Sequence, residues 1–412
     1  MRNSRVWIRL LGLGSAKLVG IELAGNLLVV QVVLVRRLGP RCGRCRRVCP
    51  RYDAPRARRR WRGLDLGTTR VVIEAEVARV SCPEHGVVVE RVPWATHGSG
   101  FTLSFEQQAA WLAVECSKTA VAELMRIAWR TVGRILERVA RRLFRPSRQL
   151  AGLRRIGIDE ISFRKGQRYL TVVVDHDTGR LVWVAEGRDE NTLHRFFREL
   201  GRRRSLRITH VSADGASWIN NVVRFHCPNA VIGLDPFHAV AWATKALDEV
   251  RREVWNDARR RGDHVHARQL KRSRYALWKN AENLTPRQER KLAWIQRVNQ
   301  PLFRAHLLKE HLRLVFQLPF MEAVELLEQW MQWAWRSRIE AFVRLGDTIA
   351  NHIDSILITL EHRLSNALVE AVNTRIRLLT RRAFGFHSAK PLIALAMLSF
   401  GGHRPTLPGR AA

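Results

Sequence analysis

The rhythm of apolar and polar positions changes three times along the chain. In the first hundred residues the apolar runs are short and strand-like. Residues 20–23 and 27–35 flank Ala24-Gly25-Asn26, which predicts a hairpin with a Gly-Asn turn. Val71-Val72-Ile73-Glu74-Ala75-Glu76-Val77 reads as a further strand. From about 104 to 142 the period is helical. Ala120-Val121-Ala122-Glu123-Leu124-Met125 predicts a short helix and Arg126-Ile127-Ala128-Trp129 a turn. Thr131 opens a second helix with Val132, Ile135, Leu136 and Val139 on one face. A short helix, a turn and a basic second helix is the layout of a helix-turn-helix, although a plain helical hairpin shares that period.

After residue 155 the pattern turns to strands, at 156–163, 169–174 and 181–185, the last two joined by Asp175-His176-Asp177-Thr178-Gly179. A helix (190–200), a strand (208–212), a helix (218–226) and a strand (230–233) follow. Three antiparallel strands and then alternating helix and strand outline an α/β, ribonuclease-H-like core whose first and fourth strands are neighbours. Residues 245–346 read as a helical insertion. Its tryptophans Trp255, Trp278, Trp294, Trp330, Trp333 and Trp335 fit a core better than a base-stacking platform. The predicted organisation is a β-rich zinc ribbon (1–98), a helix-turn-helix (99–150), a catalytic core (151–244 with 347–400) around the insertion, and a tail (401–412).

Charge narrows the function. The 412 residues carry 71 Lys plus Arg against 37 Asp plus Glu, a formal charge of +34. Such an excess points to a polyanion, most commonly nucleic acid. Only nine of the cations are lysine. GC-rich codons explain Arg over Lys, but not the shortage of acids. Arg also forks onto phosphate with two hydrogen bonds. A hydrophobic content of 46% excludes a disordered chain. The apolar runs at 27–35 and 391–400 are too short to span a bilayer, and the N-terminus lacks the apolar stretch of a signal peptide. A cytoplasmic protein with reduced thiols is expected.

Cysteine spacing supplies a first candidate centre. Cys42-Gly43-Arg44-Cys45 and Cys82-Pro83-Glu84-His85-Gly86 are two knuckles, and Cys42, Cys45, Cys82 and His85 make a Cys3His structural zinc set. Cys49 is either an alternative to Cys45 or a bystander. Cys116 and Cys227 read as small buried hydrophobes. The run Arg56-Ala57-Arg58-Arg59-Arg60 reads as a solvated loop, or as a backbone contact for DNA. Arg130, Arg134 and Arg138 recur every four residues and predict a basic, DNA-facing stripe.

Three acids form the second candidate centre. Asp159 closes the run Arg155-Ile156-Gly157-Ile158, and Asp214 follows Ile208-Thr209-His210-Val211-Ser212-Ala213, so both are placed at strand ends. Glu370 lies in Ser365-Asn366-Ala367-Leu368-Val369-Glu370-Ala371-Val372-Asn373. Asn366, Glu370, Asn373 and Arg377 share one side of that helix, and Leu368, Val372, Ile376 and Leu379 another. Taken alone, the polar side suits a solvent face; with the two aspartates it suits a pocket holding two divalent metals that cuts a phosphodiester. Asp235-Pro236-Phe237-His238 starts a helix. Asp235 fits an N-cap there at least as well as a catalytic role, and a lone histidine such as His238 at a helix start is usually no ligand.

These pieces together resemble the ISL3 family of bacterial insertion-sequence transposases. The resemblance rests on the paired knuckles, the helix-turn-helix, Ile156-Gly157-Ile158-Asp159-Glu160, Ser212-Ala213-Asp214-Gly215, Asp235-Pro236-Phe237-His238, the segment around Glu370, and the basic Arg381-Arg382-Ala383-Phe384-Gly385-Phe386. It implies a DDE enzyme with Asp159, Asp214 and Glu370 as its acids and two magnesium ions. It implies binding of terminal inverted repeats by the ribbon and helix-turn-helix, with Arg130, Arg134, Arg138, Asn366, Asn373 and Arg377 as DNA contacts. It further implies strand transfer into target DNA by a homodimer or larger assembly. Two other readings share these residues: a plain ribonuclease-H-like nuclease, and a domesticated transposase acting as a non-catalytic DNA-binding regulator. A strand-joining assay separates the first; the intact acids argue against the second.

Overall fold

The computed structural model describes residues 2–36, 39–55, 57–164, 166, 168–213, 216–364 and 366–410. They form two compact units, Met1–Arg145 with Leu378–Ala412, and Pro146–Arg377.

The first unit opens with a helix, Arg2–Leu10, followed by seven strands: β1 (Ala16–Ala24), β2 (Leu27–Leu34), β3 (Arg51–Asp53), β4 (Arg58–Arg62), β5 (Arg70–Glu76), β6 (Arg79–Cys82) and β7 (Gly86–Val89). One sheet has the order β1-β2-β5-β4 and the other β3-β6-β7. Ala24 faces Leu27 across Gly25-Asn26, and Gly25 takes φ +57°, where a β-carbon is disfavoured. Val30, Val71, Ile73, Trp61 and Trp94 form the core of the larger sheet. The basic run is not a loop: Arg58–Arg62 is an edge strand. Arg58 and Arg60 pair with the buried Glu74 at 3.3 and 2.9 Å, and Arg56 lies outside the described residues.

Helices Leu103–Glu115, Lys118–Leu124 and Trp129–Leu143 complete the expected helix-turn-helix. Val121, Val132, Ile135, Leu136 and Val139 are fully buried between them. The turn has no glycine. Arg126 takes φ +52° instead, and its guanidinium holds the position by pairing with Asp65 and donating to the Thr68 carbonyl at 2.9 Å. The chain's last helix, Ala389–Phe400, packs on Trp129–Leu143, where Pro391 lies 3.3 Å from the place a Gly133 β-carbon would occupy. Arg382 donates to the Val114 and Glu115 carbonyls at 2.6 and 3.1 Å, satisfying the end of Leu103–Glu115. Residues 378–400 therefore pack in the first unit with the helix-turn-helix, whereas the sequence pattern expected them with the core. The tail beyond 400 is tied in too, by Arg404 to Glu115 at 2.9 Å.

The second unit is built on a five-stranded sheet: β8 (Arg155–Arg164), β9 (Arg168–Asp175), β10 (Leu181–Glu186), β11 (His210–Ala213) and β12 (Val231–Leu234), in the order β10-β9-β8-β11-β12. The first three are antiparallel. β11 lies parallel to β8 with Ser212 opposite Gly157, and parallel to β12 with Ala213 opposite Leu234. The first and fourth strands are thus neighbours, as the pattern predicted. Helices Glu190–Leu200 and Ser217–His226 place Leu193, Phe196, Phe197, Ile219 and Val223 in the core that also takes Ile156 and Ile158. Helix Ile353–His362 covers β12, and Ala367–Arg382 reaches β8.

A helical body grows out of β12 through Pro236–Arg260. Its core runs from Leu234 to Leu360 around Trp330, whose indole donates to the Leu308 carbonyl at 2.7 Å. It is therefore wider than the expected 245–346. Trp255, Trp278, Trp294 and Trp333 pack against it, as a core reading requires; Trp335 is 41% exposed and donates to Asp347. Among the described residues, no helix is long and apolar enough to cross a membrane.

Candidate active site and metal centre

The two knuckles bring Cys42, Cys45, Cys82 and His85 together, one ligand atom from each lying within 4.8 Å of the others. The Sγ atoms of Cys45 and Cys82 are 3.7 Å apart, and Cys82 Sγ is 3.6 Å from His85 Nδ1. Tetrahedral zinc with sulfur at about 2.3 Å needs edges of about 3.8 Å, so the set fits the ion. Burial would raise the Cys82 thiol, but the His85 ring and the N–H groups of Glu84 and His85 outweigh it and bring it down to about 6. Cys49 is outside this group of four: its Sγ donates to the Arg47 carbonyl at 3.4 Å, and it packs in the small core that also holds Cys42 and Cys82. A β-carbon on Gly43 would collide with the His97 ring and the Val89 carbonyl, so only glycine lets the first knuckle approach.

The second site lies along β8. Asp159 stands midway in that strand, which continues to Arg164, and not at its tip. It is half-buried, and each of its oxygens has a donor. Oδ1 accepts from the Glu160 amide and Oδ2 from Asn373 Nδ2, both at 2.7 Å. Asp214 lies outside the described residues; Ala213, just before it, pairs with Leu234, just before Asp235. Glu370 is half-buried on Ala367–Arg382. Burial and then the Asp235 carboxylate raise its pKa, while His238 and Arg377 pull it back.

The helix reaches β8 because Gly157 has no side chain. A β-carbon there would strike Val369 Cγ2 and come within 2.9 Å of His176 Nε2 and 3.1 Å of Ser212 Oγ. Val369 therefore takes the inward place on the helix, and Leu368, expected there, is 42% exposed. Asn366 and Asn373 are 1% and 2% exposed, so neither offers the DNA-facing amide that the family resemblance implied. Asn366 Oδ1 accepts from the Ser212 hydroxyl, which is also 2.7 Å from His176 Nε2. The Asn366 amide donates to Asp235 Oδ1 at 3.2 Å. Asp235 is 3% exposed and makes no side-chain cap bond, although Pro236 does open the helix as expected. Burial, then Arg155, lowers the His176 pKa, which favours the neutral ring. Arg377 is exposed.

Sequence reasoning passed over Ser212 and His176 and left Asp235 open between a cap and a catalytic role. A signal existed: Gly157 and Asp159, like Ser212 and Asp214, are two apart, and strand residues two apart share a face.

A basic cleft lies in the first unit. It has a volume of about 670 Å³ and is lined by the first knuckle and by helix Trp129–Leu143. Arg44, Arg46, Arg91, Arg134, Arg141 and Arg145 are its exposed cations, and none makes an ion pair among the described residues. Partial burial and the charges of Arg46 and Arg41 depress the Arg91 pKa, a sign of crowded cations. Glu137 is also on its wall. The predicted stripe splits. Arg130 and Arg134 are exposed, whereas Arg138 pairs at 2.5 Å with Glu106, which is fully buried and also accepts from Ser99 at 2.8 Å. Eight residues rotate a helix about 80° past whole turns, which carries Arg138 off the open face.

A family profile described as "Transposase" matches residues 156–396. One described as "Helix-turn-helix domain of transposase family ISL3" matches 90–140. A third, "zinc-finger of transposase IS204/IS1001/IS1096/IS1165", matches 39–85. The whole chain is 51% identical, over 436 aligned positions and 98% of the relative, to the transposase for insertion sequence element IS1557 of Mycobacterium tuberculosis strain H37Rv, with the same figures for strain CDC 1551. It is also 29% identical to the transposase for insertion sequence element IS1001 of Bordetella parapertussis, over 90% of each chain.

Proposed function

The chain belongs to the ISL3 family of transposases, DNA-binding enzymes that cleave and transfer DNA, and from that premise we propose that Asp159, Asp214 and Glu370 are its catalytic acids. The observation that carries this reading is the Asn373–Asp159 hydrogen bond. It joins residues 214 positions apart and brings the turn of helix after Glu370 onto the strand that holds Asp159. The strand order supports a ribonuclease-H-like core, which we assign to residues 151–244 and the segment from 347 to the end of the Glu370 helix.

The acids are hard oxygen donors suited to magnesium, and the buried Oδ1 of Asn373, whose Nδ2 holds Asp159, lacks a partner among the described residues, as a site made for hydrated ions would. Two magnesium ions bound there supply Lewis acidity toward the attacking and leaving oxygens of an in-line displacement. The chain's own residues do the rest. Asn373 holds Asp159. Asn366 ties Ser212 on β11 to Asp235, and the His176 ring braces Ser212 from the other side. After burial, the Asp235 carboxylate is what raises the Glu370 pKa, and its Oδ1 is held by the Asn366 backbone N–H. Cleavage at the element's terminal repeat frees a 3′-hydroxyl, which then attacks target DNA at the same centre. Joining two ends calls for a dimer or larger assembly, acting on DNA in the cytoplasm.

The zinc ribbon (1–98) and the helix-turn-helix grip the terminal repeat. Arg130 and Arg134 take the groove. The other cleft arginines, Arg44, Arg46, Arg91, Arg141 and Arg145, take the backbone, and Arg138 holds Glu106 in place of DNA. Arg377, exposed beyond Glu370, is the remaining DNA contact on that helix. The test is Asp214→Asn. Metal-dependent nicking of end DNA should vanish while end binding, read by gel shift, persists. A variant that still nicks with magnesium would remove Asp214 from the mechanism.

A further inference from the structure

We infer that Asn373 is a positioning residue for metal binding: its Nδ2 fixes Asp159, and its Oδ1 accepts a hydrogen bond from water carried by the bound ion. This rests on the acid-site reading above and gives a buried amide on the same helix a defined task.

The orientation of the amide follows from chemistry. A carboxylate only accepts, so the atom 2.7 Å from Asp159 Oδ2 is the NH2 group, and the carbonyl oxygen points away from it. That oxygen is buried and has no hydrogen-bond partner among the described residues. Leaving a buried acceptor unmet destabilises a fold, so a site that keeps one has a use for it. Asn373 stands three residues beyond Glu370, at the helical spacing that stacks two side chains on one face. Its neighbours are thus two acids that bind hard cations. Magnesium gives up its hydration water reluctantly, and such water arrives as a strong donor. The Glu160 amide holds the other oxygen of Asp159 at 2.7 Å, so two fixed donors set the carboxylate's plane. Asn366, the helix's other buried amide, is engaged on Ser212 and its backbone on Asp235; the two asparagines are not duplicates.

The probe is manganese, binding to the full-length zinc-loaded chain without DNA, followed by the electron spin resonance signal of the free ion. Asp159→Asn defines which sites belong to the acid centre. Asn373→Ala and Asn373→Leu both remove the two hydrogen bonds; the leucine keeps the volume and spares the helix a cavity. Loss of an outer-shell partner should weaken manganese about 10–100-fold. Melting of the zinc-loaded chain without manganese should leave Asn373→Leu at or above the parent, because a buried polar group is gone. Either folded variant binding manganese as the parent does overturns the proposal. So does a fall in the manganese-free melting of both variants that accounts for the lost binding, since Asn373 would then be a packing residue. A parent that shows no manganese binding removed by Asp159→Asn fails the acid-site reading itself, a distinct result.

Discussion

At the scale of single residues, the missing side chain of Gly157 decides as much as any acid. Its place in the strand lets Val369 sit directly on β8, and that contact sets the height of Glu370 and Asn373 over Asp159. Gly157→Ala should therefore do two things. Overpacking should cost about 1–3 kcal/mol in chemical denaturation. Cleavage of end DNA should fall further than that loss explains, because the helix is lifted off the strand. Adding Val369→Ala should recover part of both, a coupling that a double-mutant cycle measures. An alanine variant with parental stability and cleavage would show that the helix does not depend on this approach. Residues of this kind were only half legible. The sequence marked Asp159 and Glu370 by strand and helix period, but period says which residues share a side, not whether that side meets water or a strand. The period left the side of Asn366 and Asn373 open between a solvent face and a pocket, and the close approach at Gly157 shows that it faces inward.

At the scale of elements, the strands and helices of the second unit were readable because apolar period and turn residues agree with the tertiary fold. The helix-turn-helix was readable except for its turn, where Arg126 adopts a conformation normally left to glycine and is held by Asp65. The last helix was not: its apolar face fits any core, and nothing local says that Trp129–Leu143 supplies it. The same first unit holds a buried charge with a measurable consequence. Lys118 is 2% exposed, with Nζ 3.2 Å from the Trp129 ring centre and 5.2 Å from that of Phe386. Burial pushes its pKa down to about 8, with Glu137 opposing. Between pH 8 and the usual lysine value, the unfolded chain keeps a proton that the folded one has lost. Stability contributed by this group therefore rises with pH across that window. Relative to Lys118→Met, the parent should gain melting temperature between pH 7 and 10. Parallel curves for the two proteins would mean that Lys118 titrates normally.

At the scale of the whole molecule, the excess of 34 positive charges is distributed with a division of labour. Some arginines serve the fold: Arg58 and Arg60 on Glu74, Arg138 and Arg142 on Glu106, and Arg382 on the end of a helix. Others are left over in the cleft, unmatched by acids among the described residues. Composition gave the total but could not separate the two groups, because partners such as Glu74 and Glu106 lie on other elements. The separation predicts how binding responds to salt. Each phosphate neutralised releases counterions and adds about 0.9 to the slope of log affinity against log salt. Arg44→Ala with Arg46→Ala removes the knuckle's share, and Arg141→Ala with Arg145→Ala the helix's. Each pair should flatten the slope by about 2, and all four together by about 4, in fluorescence anisotropy with a duplex of the terminal repeat. Zinc content should stay at one per chain, which separates lost charge from a lost knuckle. Substituting Arg58 and Arg60, whose charges are spent on Glu74 and Glu76, should leave the slope almost unchanged. If that pair flattens the slope while the cleft pairs do not, the backbone runs along β4 instead, and the exposed cleft cations would need a different anion to explain them.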